Sequence, residues 1–130
     1  MIPDKSGVYI VLNAENKAGE FLAVGTGGYF KGKNPNVTLS ELNANWVENT
    51  KVVYIGKATS LKSRLKQYFS FGQGKNVGHY GGRFIWQLRY SKELIVCWKS
   101  LSTDPREYEA DLIKQFVELF GKRPFANLKD

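Results

Sequence analysis

The apolar residues of this chain fall in short runs, and even the longer ones, such as residues 94–98, hold only about five apolar side chains in succession. A helix that spans a bilayer needs roughly 20 such residues, so the runs exclude a membrane-spanning protein. In a chain of 130 residues, they predict short strands and amphipathic helices around one core. The N-terminus lacks a secretory profile and Cys97 has no second cysteine as a partner, so we expect a cytoplasmic protein.

Three segments have the character of β-strands. Gly7–Leu12 and residues 51–56 are rich in β-branched and aromatic side chains that alternate between two faces. Residues 94–100 are almost continuously apolar, which predicts a strand that is buried on both faces. Together these segments predict a small three-stranded, mainly antiparallel sheet.

Capping residues and apolar spacing predict three helices. Ser60 is a suitable N-cap for a helix that continues to about Phe69, with apolar residues spaced by three and four. Asp104 is the N-cap of the clearest helix, which has a proline at its first position and ends at Phe120 before a glycine. A short helix is expected over residues 83–90. Strands and helices in this order predict an α/β fold of the α+β type, in which helices flank the sheet.

The segment between the first two strands is less regular. Residues 21–24 are compatible with a strand, residues 25–35 form a glycine-rich loop, and residues 39–47 predict one or two helical turns. The loop matches neither of the glycine patterns that cradle phosphates. Two interpretations stay open: a turn-rich insertion, or a loop whose Lys31 and Lys33 contact nucleic acid.

The net charge of +7 is concentrated in one part of the sequence. Residues 51–92 contain nine basic residues and no Asp or Glu, whereas the rest of the chain has ten basic and twelve acidic residues, a net of −2. A solvated basic face and a nucleic-acid-binding surface are both compatible with this pattern. For residues 79–83 the alternative to a phosphate contact is a tight turn made by the glycine pair. The candidate nucleic-acid contacts are Lys57, Lys62, Lys66, Lys75, His79 and Arg83.

Glu109 lies at the head of the apolar stripe of the last helix, three and four residues before Leu112 and Ile113. Burying an unpaired carboxylate is costly, so Glu109 is expected to have a partner. One candidate is a basic side chain, of which Arg64 is the obvious one. The other is a divalent cation, since a single carboxylate can hold Mg²⁺ together with water and phosphate oxygens. A structural ion pair, or an edge position that reaches solvent, is the alternative to a functional site.

An ordered set of motifs resembles the GIY-YIG nuclease superfamily, whose members include homing endonucleases, some restriction enzymes and the N-terminal incision domain of a bacterial excision-repair nuclease. Residues 7–9 (GVY) stand on the first strand, residues 54–69 (YIGKATSLKSRLKQYF) resemble the family's second strand and first helix, and residues 109–114 (EADLIK) resemble the metal-binding helix of the repair nuclease. The family's two strands form a compact hairpin. Here 44 residues separate Tyr9 from Tyr54, which implies an insertion at about residues 18–50.

The resemblance implies a role for each matched residue. Glu109 would bind one Mg²⁺ or Mn²⁺ ion, and Arg64 would contact the scissile phosphate. Tyr9 and Tyr54 would lie in the active site, where one of them orients or deprotonates the attacking water. As a base, a tyrosine would need a lowered pKa, which the metal or Lys57 could provide. The remaining matches stand where the family has a lysine, a tyrosine or histidine, and an asparagine that supports the site: Lys57, Tyr68 and Asn127.

These features predict a single domain over residues 1–130 that is a metal-dependent endonuclease, a hydrolase acting on phosphodiester bonds in DNA. The predicted ligands are DNA and one divalent ion, with no organic cofactor and no membrane. Because no separate DNA-reading domain is visible in the sequence, a targeting protein or a branched substrate is expected to supply specificity. One alternative is a non-catalytic nucleic-acid-binding module that retains the nuclease fold. Another is a protein-interaction domain whose basic surface meets an acidic partner.

Overall fold

The computed structural model describes residues 2–76 and 80–128. Within them, three strands form one sheet in the order β2-β1-β3: β1 Gly7–Leu12, β2 Val52–Ala58 and β3 Ile95–Ser100. Both strand pairs are antiparallel. The predicted small antiparallel sheet flanked by helices is therefore confirmed, and its central strand is β1.

Three α-helices accompany the sheet, and each begins at a side chain that caps a backbone amide. They are α1 Leu39–Asn45, α2 Leu61–Gly72 and α3 Pro105–Phe120, with Thr38, Ser60 and Asp104 as N-caps. The bounds of α3 agree with the prediction, and Gly121 ends the helix in the left-handed conformation, with φ of 78°. The helix predicted from Ser60 continues one turn beyond Phe69 to Gly72. In the described part of the chain, no helix has the length and apolar character needed to cross a membrane.

The helices cover opposite faces of the sheet. Side chains alternate along a strand, so Tyr9 and Val11 of β1 share one face and belong to the same buried cluster as Leu65 of α2. On the other face, Val8 lies beneath α3 and lines a groove together with Leu112. This arrangement places α2 and α3 on either side of β2, which is an edge strand.

The insertion before β2 packs onto the same core as the sheet. Leu42 of α1 is fully buried in the cluster that contains Tyr9. The buried side chain of Gln87 accepts a hydrogen bond from the Val37 amide and donates to the carbonyl oxygens of Leu22 and Val37. The predicted strand at residues 21–24 is absent, since this segment is attached by the Gln87 amide and by one isolated bridge to Leu88 rather than by a strand ladder.

The helix predicted over residues 83–90 is a 3₁₀ helix that spans Tyr80–Gln87 instead. It is kinked at Gly82, where φ is −101° and ψ is 20°. The residues that follow the kink are buried on several sides at once, among them Phe84 and Ile85. Apolar periodicity alone cannot separate an α-helix from this tighter segment, because both bury residues spaced by three.

The prediction that the third strand is buried on both faces is wrong. Ile95 and Trp98 of β3 are 48% and 40% exposed, and Cys97 is exposed as well. β3 is the second edge strand of the sheet, and α3 packs against β1 and β2. An apolar run therefore shows that a strand forms, but its neighbours decide whether that strand is buried.

Candidate active site

Two tyrosines from neighbouring strands meet on one face of the sheet. Tyr9 of β1 pairs with Gly56 of β2, two residues after Tyr54. A Cβ atom on Gly56 would overlap the phenol ring of Tyr9, so the glycine of the YIG motif makes room for the tyrosine of the first motif. The rings of Tyr9 and Tyr54 lie 5.9 Å apart and tilted by 46°, and their hydroxyls are hydrogen-bonded to each other.

Arg64 brings a positive charge to these two hydroxyls. It extends from α2, where the neighbouring apolar positions Leu61 and Leu65 are fully buried and Arg64 is half-buried. Its guanidinium hydrogen-bonds to the hydroxyls of both Tyr9 and Tyr54, and its Nη1 donates to Gln67 Oε1 at 3.0 Å. The structure therefore assembles three of the residues that the resemblance assigned to the site.

The environment keeps both tyrosines protonated. Burial is the largest effect and raises the pKa of Tyr9 well above its usual range; the neighbouring Tyr54 adds to this, and Arg64 opposes it. Burial likewise raises the pKa of Tyr54, and the Arg64 guanidinium lowers it only in part. The sequence suggested Lys57 as the cation acting on the tyrosines, whereas the cation that hydrogen-bonds to them is Arg64. Both hydroxyls are thus donors at neutral pH.

Glu109 has the partner that its position requires, but this partner is Lys57 rather than Arg64. Lys57 Nζ lies 3.2 Å from Glu109 Oε1, and the two side chains are 42% and 13% exposed. The ion pair joins β2 to the first turns of α3. The charge of Glu109 also acts on Tyr54, whose pKa it raises. Tyr54 is therefore within electrostatic reach of both Glu109 and Arg64.

A divalent ion at this place would depend on Glu109. Among the described residues, no group of three or more His, Cys, Asp or Glu side chains is suited to hold a metal. The Oε2 atom of Glu109 has no hydrogen-bond partner in that part of the chain, since the carboxylate's contact is made through Oε1. A mostly buried carboxylate with one open oxygen fits a hard cation that takes its other ligands from water and substrate.

Arg64 and Lys57 open onto a cleft of about 690 Å³. The cleft lies between the beginnings of α2 and α3, and hydroxyl side chains line much of its wall: Ser6, Thr59, Ser60, Ser63, Ser102 and Thr103. Glu109 lines an adjoining depression of about 540 Å³, so the Lys57 to Glu109 ion pair joins the two spaces. The arrangement presents cations and hydroxyl donors to an anionic ligand.

Asn127 supports the strand that carries Tyr54. Its Nδ2 donates to the Ile55 carbonyl at 2.8 Å, and its Oδ1 accepts from the Ile55 amide at 2.9 Å. The side chain thus occupies the free edge of β2 in the way that another strand would. The resemblance placed Asn127 in a supporting role, and this geometry is that of a support for the backbone of β2.

The other predicted residues lie away from the cleft wall. Tyr68 is 1% exposed in the core, where its ring centroid is 5.0 Å from that of Trp86. Lys62 and Lys66 are exposed and stand two positions from Arg64, about 200° around α2, so they point away from Arg64, and neither lines the cleft. Beyond these, Lys75 is exposed, Arg83 is half-buried beside Phe84, and His79 lies outside the described residues.

Apart from the hydroxyl residues, two polar side chains that sequence reasoning missed line the cleft, Gln67 and Arg106. Gln67 could have been found, because it follows Arg64 by three positions on one helix face. Arg106 carries no such signal. It follows the N-cap of α3, where it forms an ion pair with Asp104 at 2.9 Å, and it reaches the cleft only because the beginnings of α2 and α3 converge.

Comparison with known proteins points to one family. The sequence pattern of the GIY-YIG catalytic domain matches residues 44–122, a stretch that contains Tyr54, Arg64 and Glu109 but neither Tyr9 nor Asn127. Over 68 residues the chain is 37% identical to the UvrABC system protein C of Nautilia profundicola, a region that covers 52% of this chain and 11% of that protein. The chain therefore spans about a tenth of the length of that relative. No solved structure matches.

Proposed function

This chain belongs to the GIY-YIG catalytic domain family of nucleases, and on that premise we propose that it is a divalent-metal-dependent endonuclease that hydrolyses phosphodiester bonds in DNA. The observation that carries the proposal is the placement of Arg64, which hydrogen-bonds to Tyr9 and Tyr54 and opens onto the cleft beside Lys57. A planar guanidinium held by two hydroxyls is suited to bind a phosphate group through parallel hydrogen bonds. It binds best where negative charge develops on the phosphoryl oxygens.

The tyrosines would orient the attacking water. Water attacks phosphorus and loses a proton to solvent, the bond from phosphorus to the leaving oxygen breaks, and the leaving oxygen takes up a proton from solvent. Because burial raises the pKa values of Tyr9 and Tyr54, their hydroxyls are protonated at neutral pH. They can donate hydrogen bonds to the water or to a phosphoryl oxygen. Of the two roles that the resemblance allows, this environment favours orientation over deprotonation.

Glu109 is the residue that would hold the metal. A bound divalent ion supplies charge neutralisation at the phosphoryl and leaving oxygens. Lys57 pairs with the same carboxylate, and its flexible, partly exposed side chain could turn to a phosphate when the carboxylate is engaged elsewhere. The ion pair with Lys57 would then neutralise Glu109 when no cation is bound.

The described residues of the insertion and of the sheet share one buried cluster, which supports a single domain over residues 1–130. The hydroxyls and cations of the cleft can bind backbone phosphates of any sequence, which supports targeting by a partner protein or by a branched substrate. The chemistry needs no organic cofactor, and a cytoplasmic site of action gives access to DNA and magnesium.

The test is a nicking assay on supercoiled plasmid with Mg²⁺ or Mn²⁺. Replacing Glu109 by Gln keeps the shape of the side chain but removes the charge that would hold the ion, so metal-dependent nicking should fall by about 100-fold or more, of the order expected for the loss of one electrostatic contact in a transition state. Glu107→Gln is the matched control, because Glu107 is an exposed acid of the same helix and lines neither the cleft nor the adjoining depression. It should retain wild-type activity.

The same assay separates the nuclease from the non-catalytic alternative. A binding module would retain DNA without nicking it, equally in the wild type and in Glu109→Gln. That outcome would remove the catalytic proposal. Unfolding of Glu109→Gln, seen by circular dichroism, would instead show that the pair with Lys57 is structural.

A further inference from the structure

The glycine-rich loop of the insertion is attached to the end of α2. A Cβ atom on Gly28 would overlap the carbonyl oxygen of Lys75, and one on Gly27 would lie 2.8 Å from the ring of Phe71. The Lys31 amide donates to Asn76 Oδ1 at 3.1 Å. The glycines are therefore needed for close approach between backbones, and the loop tip has a fixed place beside the C-terminal end of α2.

The docked loop adds an aromatic ring and two cations at the C-terminal end of α2. Tyr29 is 51% exposed at the loop tip, next to Gly28, and Phe69 is 46% exposed on α2. Phe69 follows Lys66 by three positions and Lys62 by seven, so the three side chains lie on one face of the helix. The Lys75 amide donates to the Ser70 carbonyl oxygen at 3.1 Å, so the backbone that holds the loop lies beside the last turn of α2, next to the residue that follows Phe69.

The charged residues that the loop and α2 contribute to this surface are all lysines. We name it the loop-helix surface and define it by its seven exposed residues: Tyr29, Lys31, Lys33, Lys62, Lys66, Phe69 and Lys75. Residues 21–40 and 51–92, from which all seven come, contain no Asp or Glu. Its part on α2 faces away from Arg64, because Lys62 and Lys66 each stand two positions from Arg64 on the helix. The loop-helix surface is therefore separate from the cleft.

We propose that the loop-helix surface binds an unpaired DNA strand, with bases stacked on Tyr29 and Phe69 and phosphates bound by the surrounding lysines. Duplex bases are stacked on each other and hidden from exposed rings, whereas unpaired bases can stack on aromatic side chains while cations follow the backbone. The inference rests on the proposed function in taking DNA as the ligand. It adds a substrate class, a duplex with a flap or branch, whose free strand crosses α2 while the duplex occupies the cleft.

The experiment measures binding of a fluorescent 12-nucleotide oligothymidylate by anisotropy, in EDTA so that no cleavage takes place. Tyr29→Ala and Phe69→Leu should each weaken this binding by about 5- to 100-fold, the range expected for loss of one stacked base. Leucine keeps an apolar contact with Tyr68, whose ring is 5.0 Å from that of Phe69. Tyr108→Ala is the matched control, since Tyr108 is an exposed tyrosine, 38% accessible, on α3. It should bind as the wild type does.

Binding of a blunt duplex by the same variants decides the assignment. We expect it to change by less than about twofold, because the rings have no unpaired base to stack on. An equal loss on both ligands, or no loss on the single strand, would overturn the proposal. The double variant Lys62→Gln with Lys66→Gln should lower the salt dependence of single-strand binding by about 1.4 log units per log unit of salt, and an unchanged slope would also contradict it.

Failure of this inference can be told apart from failure of the nuclease proposal. The binding assay contains no divalent ion and needs no catalysis, so it reports on the loop-helix surface and not on the metal or the cleavage step. If the wild-type protein nicks plasmid but Tyr29→Ala binds the oligothymidylate as tightly as the wild type, the proposed function stands and this inference is refuted.

Discussion

At the scale of single residues, the candidate site converges on Tyr54. Arg64 hydrogen-bonds to its hydroxyl from α2, Glu109 acts on the same hydroxyl from α3, and Tyr9 contacts it from the neighbouring strand. Burial dominates over these charges and raises the pKa of Tyr54. A protonated tyrosine between a cation and an anion is a rigid hydrogen-bond donor, which suits the orientation of a small ligand.

Arg64 is the residue whose replacement should separate turnover from binding. Arg64→Ala should lower the nicking rate by about 100- to 1,000-fold, because its guanidinium would stabilise charge that develops in the transition state. DNA affinity should change little, since many lysines remain. Arg64→Lys keeps the charge but not the planar fork, and it should recover only part of the rate.

Single-turnover nicking and anisotropy measure these two quantities separately. Arg89→Ala is the control, because Arg89 is an exposed arginine that makes an ion pair with Glu20. A variant of Arg64 with unchanged turnover would remove that residue from the site.

At the scale of elements, the position of β2 at the edge of the sheet explains the site. Helices on opposite faces of a sheet are separated by its backbone, and side chains from the two faces can approach each other around an edge strand. α2 brings Arg64 to the face of Tyr54, while α3 brings Glu109 to Lys57, which alternates to the other face. An edge strand exposes backbone groups that pair with no other strand. Here the side chain of Asn127 forms hydrogen bonds with the amide and the carbonyl of Ile55.

Asn127→Ala tests this support. The change removes both hydrogen bonds to the backbone of Ile55, which is buried, and the free energy of unfolding should fall by about 1–3 kcal/mol. Urea denaturation followed by circular dichroism measures it. Asn43→Ala is the control, because Asn43 is exposed and bonds to a carbonyl of its own helix, so its loss should cost no more than about 0.5 kcal/mol. Equal stability of the two variants would show that the Ile55 bonds contribute nothing.

At the scale of the whole molecule, buried phenol groups make folding sensitive to alkaline pH. Burial raises the pKa values of Tyr9, Tyr54 and Tyr68 above their usual range, and it raises the pKa of Tyr90 to about 12. A group whose pKa is higher in the folded state contributes stability that is fully present below its unfolded pKa, here about 10. The contribution is lost as pH rises through the folded pKa, because the unfolded chain releases the proton first.

The prediction is that the urea midpoint falls steeply between about pH 10 and pH 11.5, whereas it changes little between about pH 8 and pH 9. Tyr68→Phe should reduce the slope of unfolding free energy against pH by about 1.4 kcal/mol per pH unit, since one proton fewer is linked to unfolding. The comparison of the variant with the wild type cancels the effect of lysines, which titrate in the same range. Identical slopes for the two proteins would contradict it.

Features that depend on a few neighbouring residues were predictable. The caps of α3, the strand character of Gly7–Leu12 and the need of Glu109 for a partner follow from local spacing, and the structure has all three. The identity of the partner was not predictable, because Lys57 and Glu109 are 52 positions apart and meet only when α3 packs against β2. The exposure of β3 was not predictable either, because composition does not distinguish an edge strand from a central strand.

The sequence by itself determined the three strands of the sheet and the helices that begin after Ser60 and Asp104, and it placed Tyr9, Tyr54, Arg64 and Glu109 in motifs of one family. Capping, side-chain alternation and apolar spacing act within one or two turns of chain, so they can be recognised before anything is packed. Only the tertiary structure decided that Arg64 joins the two tyrosines and that the glycine loop docks against α2. Such contacts form between segments far apart in the chain, and their geometry depends on how the sheet orders its strands and which helix covers each face.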